Sequence, residues 1–157
     1  MIVKDIIWED FSNYKDPCMF IIFPKCSFKC CKEANSDICQ NSEIVHLPDI
    51  EVSPEYIVKQ YMNNTITSAI VFGGLEPFDS LPEMLDLIKA LRSETSDNII
   101  IYTGYTEEEI QCYIKDLSAY RNIIIKYGRY IPNKRSKYDD LLGVNLASDN
   151  QYARRIS

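Results

Sequence analysis

The chain has 157 residues, 46% of them hydrophobic and 25% charged, which fits one domain with a real hydrophobic core. Its net charge of −6 excludes nucleic-acid binding by phosphate neutralisation over the whole surface, leaving only a small basic patch at Lys134, Arg135 and Lys137. No apolar run approaches the roughly 18 residues of a membrane span, and Met1 to Phe11, with Lys4, Asp5, Glu9 and Asp10, does not read as a signal peptide. The expected location is therefore the cytoplasm, where thiols stay reduced, so six cysteines point to metal or redox chemistry before disulfides.

In chain order, Ile2, Ile6, Ile7 and Trp8 suggest a short edge strand or hairpin. A polar loop, Ser12 to Pro17, leads to the buried strand Cys18 to Phe23, which Pro24 ends because it cannot donate to the ladder. Four of the six cysteines follow at 26, 30, 31 and 39. Ser53 reads as an N-cap with Pro54 at the first helical position, and Ile57, Val58 and Tyr61 form that helix's apolar face. Ser68 to Phe72 is a short apolar strand ending at Gly73 and Gly74. Ser80 and Glu83 have capping-box spacing ahead of Met84, Leu85, Ile88 and Leu91. Asn98 to Tyr102 is another buried strand. Thr106 and Glu109 make a second capping box before Ile110, Tyr113, Ile114 and Leu117, and Asn122 to Lys126 is the last clear strand.

Apolar strands alternating with capped helices predict an α/β fold with a parallel sheet covered by helices. About four repeats cannot complete an eight-unit barrel. The expectation is a shortened open βα barrel or small α/β sandwich in one domain, residues 1–157, with 128–157 as an irregular tail packed over it. Ligands in such folds gather at the carboxyl ends of the strands. Three loops qualify: the cysteine loop after Phe23, Gly73-Gly74-Leu75-Glu76-Pro77 after Phe72, and Thr103-Gly104-Tyr105 after Tyr102. Three thiolates on a cluster would leave one iron open, whereas four would close the site, and zinc in a four-thiolate site is the plain alternative. His46, the only histidine, reads as an exposed polar residue, Cys18 as a core thiol and Cys112 as structural. Arg129, Lys134 and Arg135 read as solvated surface charge.

Taken together, these residues resemble the radical S-adenosylmethionine (SAM) superfamily, and within it the small activating enzymes of glycyl radical enzymes, in particular the anaerobic ribonucleotide reductase activases. Cys26-Ser-Phe-Lys-Cys30 matches the first half of that family's cluster motif, and Ile38-Cys39-Gln40-Asn41 resembles its end. Gly73-Gly74-Leu75-Glu76-Pro77 is similar to its glycine–glycine–acid–proline segment, and Gly128-Arg129-Tyr130, Leu142-Gly143-Val144 and Asn150-Gln151 to its closing segment. Three departures stand out. Eight residues separate Cys30 from Cys39 where the family has two, Leu75 splits the glycines from Glu76, and Glu9 to Tyr14 holds no glycine.

The resemblance implies Cys26, Cys30 and Cys39 as ligands of a [4Fe–4S] cluster, with Cys31 the competitor of Cys30. It implies S-adenosylmethionine held at its ammonium by Glu76 with Gly73 and Gly74 nearby, Ile38 against the adenine, and Tyr102, Thr103 and Gly104 along the next strand end. The implied activity is reductive cleavage of S-adenosylmethionine to a 5′-deoxyadenosyl radical. The implied partners are a glycyl radical enzyme such as an anaerobic ribonucleotide reductase, and reduced flavodoxin or ferredoxin as electron donor. A radical enzyme acting on a small molecule or peptide, a family member without turnover, and a zinc-stabilised binding module are the alternatives.

Overall fold

The computed structural model describes all residues, Met1–Ser157. In chain order its elements are β1 (Ile2–Val3), β2 (Asp5–Asp10), β3 (Cys18–Phe23), α1 (Lys29–Ala34), β4 (Ile50–Glu51), α2 (Pro54–Asn63) and β5 (Ala69–Gly74). There follow α3 (Leu81–Glu94), β6 (Asn98–Tyr102), α4 (Glu107–Leu117), β7 (Ile123–Tyr127), β8 (Lys137–Asp139), β9 (Val144–Leu146) and β10 (Tyr152–Arg155). The apolar runs become the middle of a six-stranded sheet in the order β10-β7-β6-β5-β3-β2. β3, β5, β6 and β7 are parallel, flanked by β2 and β10, both antiparallel to their neighbours.

Strand periodicity assigns each side chain to a face. Met19, Ile21, Phe72, Ile99, Ile101 and Ile125 share one core with Ile57 of α2, Leu87 and Leu91 of α3 and Ile110 of α4. The intervening Cys18, Ala69, Val71, Ile100 and Ile124 pack on the opposite face against Tyr14, Leu142 and Leu146. Both faces are therefore covered, which is why the strands read as apolar throughout. Each buried Leu, Ile or Phe is worth roughly 1.5–3 kcal/mol relative to exposure.

The architecture is an α/β fold on a mixed, mostly parallel sheet. Its edge strands β2 and β10 do not pair with one another, so no barrel closes. The tail explains part of this. Instead of lying irregularly over the domain, residues 128–157 form the β8–β9 hairpin and then β10, which extends the sheet beside β7. Leu142 and Leu146 from that hairpin fill the face that a barrel would turn inward. Asp139 pins the return, accepting from the N–H groups of Leu141 at 3.1 Å, Leu142 at 3.0 Å and Ala153 at 3.0 Å.

The capping box expected at Ser80 and Glu83 does not form: Ser80 makes no capping bond and its buried hydroxyl has no partner. A 3₁₀ turn, Pro77–Ser80, runs straight into α3, and its cap is Glu76. The Thr106–Glu109 box has both of its bonds. No helix is long and apolar enough to cross a membrane.

Candidate metal centre and cofactor pocket

The cysteine loop leaves β3 at Pro24 and enters α1 through Phe28, whose φ of 51° puts it in the left-handed region. The helix ends at Asn35, φ 47°, a residue type that tolerates this conformation, and its N–H bonds the carbonyls of Cys31 and Lys32. This short helix and reversal absorb the eight-residue excursion. Cys39 returns to join Cys26 and Cys30 on the wall of one cavity of about 370 Å³. Cys31 is not on that wall; its Sγ lies 3.7 Å from Asp37 Oδ1.

The thiols have the chemistry of a cation site. Burial, with a smaller push from the neighbouring Cys39, raises Cys26 to about 11 and Cys30 to about 12. Thiols that resist ionisation together are relieved by a bound metal, which takes them as thiolates. No three His, Cys, Asp or Glu side chains converge closely enough to hold a single metal ion. Cys26, Cys30 and Cys39 share the wall of one cavity. The N–H of Phe28 points at Cys26 Sγ, 3.3 Å away, the kind of hydrogen bond that tunes a cluster's potential.

On the next strand end, Gly73 packs tightly on the Phe20 ring, while Gly74 has φ +77° and no room for a Cβ beside Ile22. Asn41 Nδ2 donates to the Gly74 carbonyl at 2.7 Å, tying the cysteine loop to this turn. Glu76 is only 6% exposed. Its Oε1 accepts from Phe78 N at 3.2 Å and Thr103 Oγ1 at 2.7 Å, and its Oε2 from Gly104 N at 2.9 Å. Burial pushes its carboxyl up to about 7, with those hydrogen bonds acting in the opposite direction.

Gly74, Glu76, Tyr102 and Gly104 share the main cavity with the three cysteines. Thr103 opens onto an adjoining cavity of about 250 Å³, Gly73 lies behind the wall, and Ile38 lines a separate, mainly apolar cavity with Ala34, Tyr130 and Ile131. Cys18 is fully buried beside Asp10; His46 and Cys112 are exposed.

Several wall residues were not foreseen. Lys126, buried on β7, donates to the Gly128 carbonyl at 3.1 Å; burial lowers its ammonium to about 8, against the pull of Glu76. A lysine inside an otherwise apolar strand was the available signal. Ser12 and Asn13 reach the cavity from a loop hung on Asp10, which accepts from Ser12 Oγ at 2.6 Å and Asn13 Nδ2 at 2.8 Å. Tyr102 fastens the same loop by donating to the Asn13 carbonyl at 2.7 Å. Arg129, expected as solvated charge, is an inward-facing, ion-paired wall residue.

Three thiols, a buried carboxylate and a buried lysine face one cavity at the carboxyl ends of parallel strands, and the family match over most of the chain makes this an iron–sulfur domain of the radical SAM type. The chain belongs to the family described as the 4Fe-4S single cluster domain, whose pattern spans residues 18–152. Neither a curated protein nor a solved structure matches the chain.

Proposed function

We propose that the chain is a radical SAM enzyme that holds a [4Fe–4S] cluster on Cys26, Cys30 and Cys39 and installs a glycyl radical on a larger partner, such as an anaerobic ribonucleotide reductase. One observation carries this reading: the three thiols, Glu76 and Lys126 face a single cavity of about 370 Å³, within the roughly 300–1,000 Å³ usual for small-molecule sites. The methionine end of S-adenosylmethionine is a zwitterion. Glu76 would receive its ammonium and Lys126 its carboxylate, so each buried group gains the counter-charge that its burial demands. Gly74 lets the ligand approach the backbone, while Tyr102 and the Ser12–Asn13 loop wall off water. When bound, the reduced cluster and S-adenosylmethionine supply cleavage of the sulfonium to methionine and a 5′-deoxyadenosyl radical, with the electron coming from a donor such as reduced flavodoxin or ferredoxin.

The activase reading is supported by the likeness of the cysteine loop, the glycine–acid turn and the tail to those enzymes. The placement of parallel strands in chain order with helices on one face also supports a fragment of a βα barrel as the parent architecture. Anaerobically reconstituted protein mixed with S-adenosylmethionine and dithionite should form 5′-deoxyadenosine, and a partner should acquire a glycyl radical signal in spin resonance. An intact cluster that forms no 5′-deoxyadenosine would overturn the enzymatic reading. Turnover without a glycyl signal on any glycyl radical enzyme would redirect it to a small-molecule or peptide substrate.

A further inference from the structure

Arg129 is held more tightly than a wall residue requires. Its side chain is 10% exposed. Nη1 and Nη2 fork onto Glu109 of α4 at 2.8 and 2.6 Å. Nη2 also lies 3.0 Å from Glu33 of α1, the helix that carries Cys30, and Nη1 donates to the Gly104 carbonyl at 3.3 Å. Its Nε is buried without a partner. Lys29, also on α1, reaches Glu109 at 3.1 Å and sits 4.5 Å above the Tyr105 ring. One guanidinium therefore joins the cysteine helix, α4 and the loop after β6.

The backbone beneath it is clamped as well. Gly128 has φ +99°. Its carbonyl accepts from Gln151 Nε2 at 3.0 Å and Lys126 Nζ at 3.1 Å, and the Arg129 carbonyl accepts from Asn150 Nδ2 at 2.8 Å. Gln151 is in turn fixed by the N–H of Ser148 at 3.2 Å. The Asn150-Gln151 pair near the C-terminus thus has a defined task, to seat Gly128 and Arg129. The seated side chain lines the main cavity with Cys30 and a second, small one with Cys26 and Cys30.

We propose that Arg129 is the counter-charge and positioning residue of the iron–sulfur centre: it anchors the Cys30 helix and makes the centre easier to reduce. The inference rests on the reading that Cys26, Cys30 and Cys39 hold the cluster. A thiolate-bound cluster is anionic and becomes more so on taking an electron. A fixed positive charge in a site shielded from water stabilises the reduced form and raises the potential. Glu109 and Glu33 each offset part of that charge, so removing Arg129 and removing Glu109 should act on the potential in opposite senses.

That opposition separates charge from architecture. Wild type, Arg129→Gln, Glu109→Gln and Arg129→Lys are reconstituted anaerobically, analysed for iron and sulfide, and titrated with dithionite under spin-resonance detection. Arg129→Gln should shift the midpoint to more negative potential and Glu109→Gln to more positive. Arg129→Lys should stay near wild type in potential while releasing iron to a chelator several-fold faster, because the fork to Glu33, Glu109 and Gly104 is lost. If Arg129→Gln and Glu109→Gln move the midpoint in the same direction, or neither moves it, the proposal is overturned and the ion pair is structural only. Should Arg129→Gln fail to hold iron, Glu109→Gln decides alone, and an unchanged or more negative midpoint there overturns it. A wild-type protein without a [4Fe–4S] cluster removes the underlying reading, and the iron analysis shows this before any variant is compared.

Discussion

Glu76 is a buried carboxyl held by three hydrogen-bond donors. Its titration near 7 follows from that balance. The unfolded group ionises near 4.5, so between about pH 4.5 and 7 the folded protein retains the proton that the unfolded chain has lost. Apo-protein stability from this group should be full below that window and fall as pH rises through it, by on the order of 3 kcal/mol. Urea unfolding of the apo-protein at a series of pH values should show the slope, and Glu76→Gln should flatten it; a variant keeping the wild-type slope contradicts the assignment. The glycines separate just as sharply. Gly74→Ala must adopt φ +77° and press on Ile22, costing upwards of about 2 kcal/mol. An alanine at Gly104 meets only ordinary contacts, with Glu76 Oε2 at 3.6 Å, and should cost under about 1 kcal/mol. Equal losses in thermal unfolding would contradict the local geometry. At this scale the place of Glu76 on the cavity wall was legible from its position after a glycine pair at a strand end. Arg129 was not, because nothing in a polar tail marks which of its charges turns inward.

Among the elements, the parallel strands and the helices α2 and α4 were readable from apolar runs and caps, and α3 from its apolar spacing alone. Ser53 and Thr106 both accept the bonds their positions predict. The failure at Ser80 has a local cause: the chain arrives in a 3₁₀ turn whose start is capped by Glu76, so the hydroxyl is never offered the N–H of Glu83. The helix α1 was invisible because its six residues bury none of their side chains and so carry no periodic pattern. It is nevertheless the element that makes the long cysteine spacing workable. Serine at Cys26, Cys30 or Cys39 should abolish cluster retention, whereas Cys31→Ser should retain iron and sulfide at wild-type levels, as read by chemical analysis after anaerobic reconstitution. A cluster lost with Cys31 and kept with Cys30→Ser would exchange their roles.

Across the molecule, the sheet is open because the chain spends its last thirty or so residues filling one face and extending one edge instead of adding βα units. Polar residues such as Asp139, Ser148 and Gln151 do this work through hydrogen bonds. Hydrophobic periodicity therefore showed the four parallel strands and missed β8, β9 and β10 in the tail. The result is a short domain in which every strand end that carries chemistry meets at one rim. Central to the proposed function are three cysteines holding a cluster with one iron left open to S-adenosylmethionine. Spin resonance of the reduced, reconstituted protein before and after adding S-adenosylmethionine tests this most directly. Four irons per chain and a signal that changes on addition are predicted. One zinc per chain, or a cluster signal that S-adenosylmethionine leaves unchanged, would contradict it.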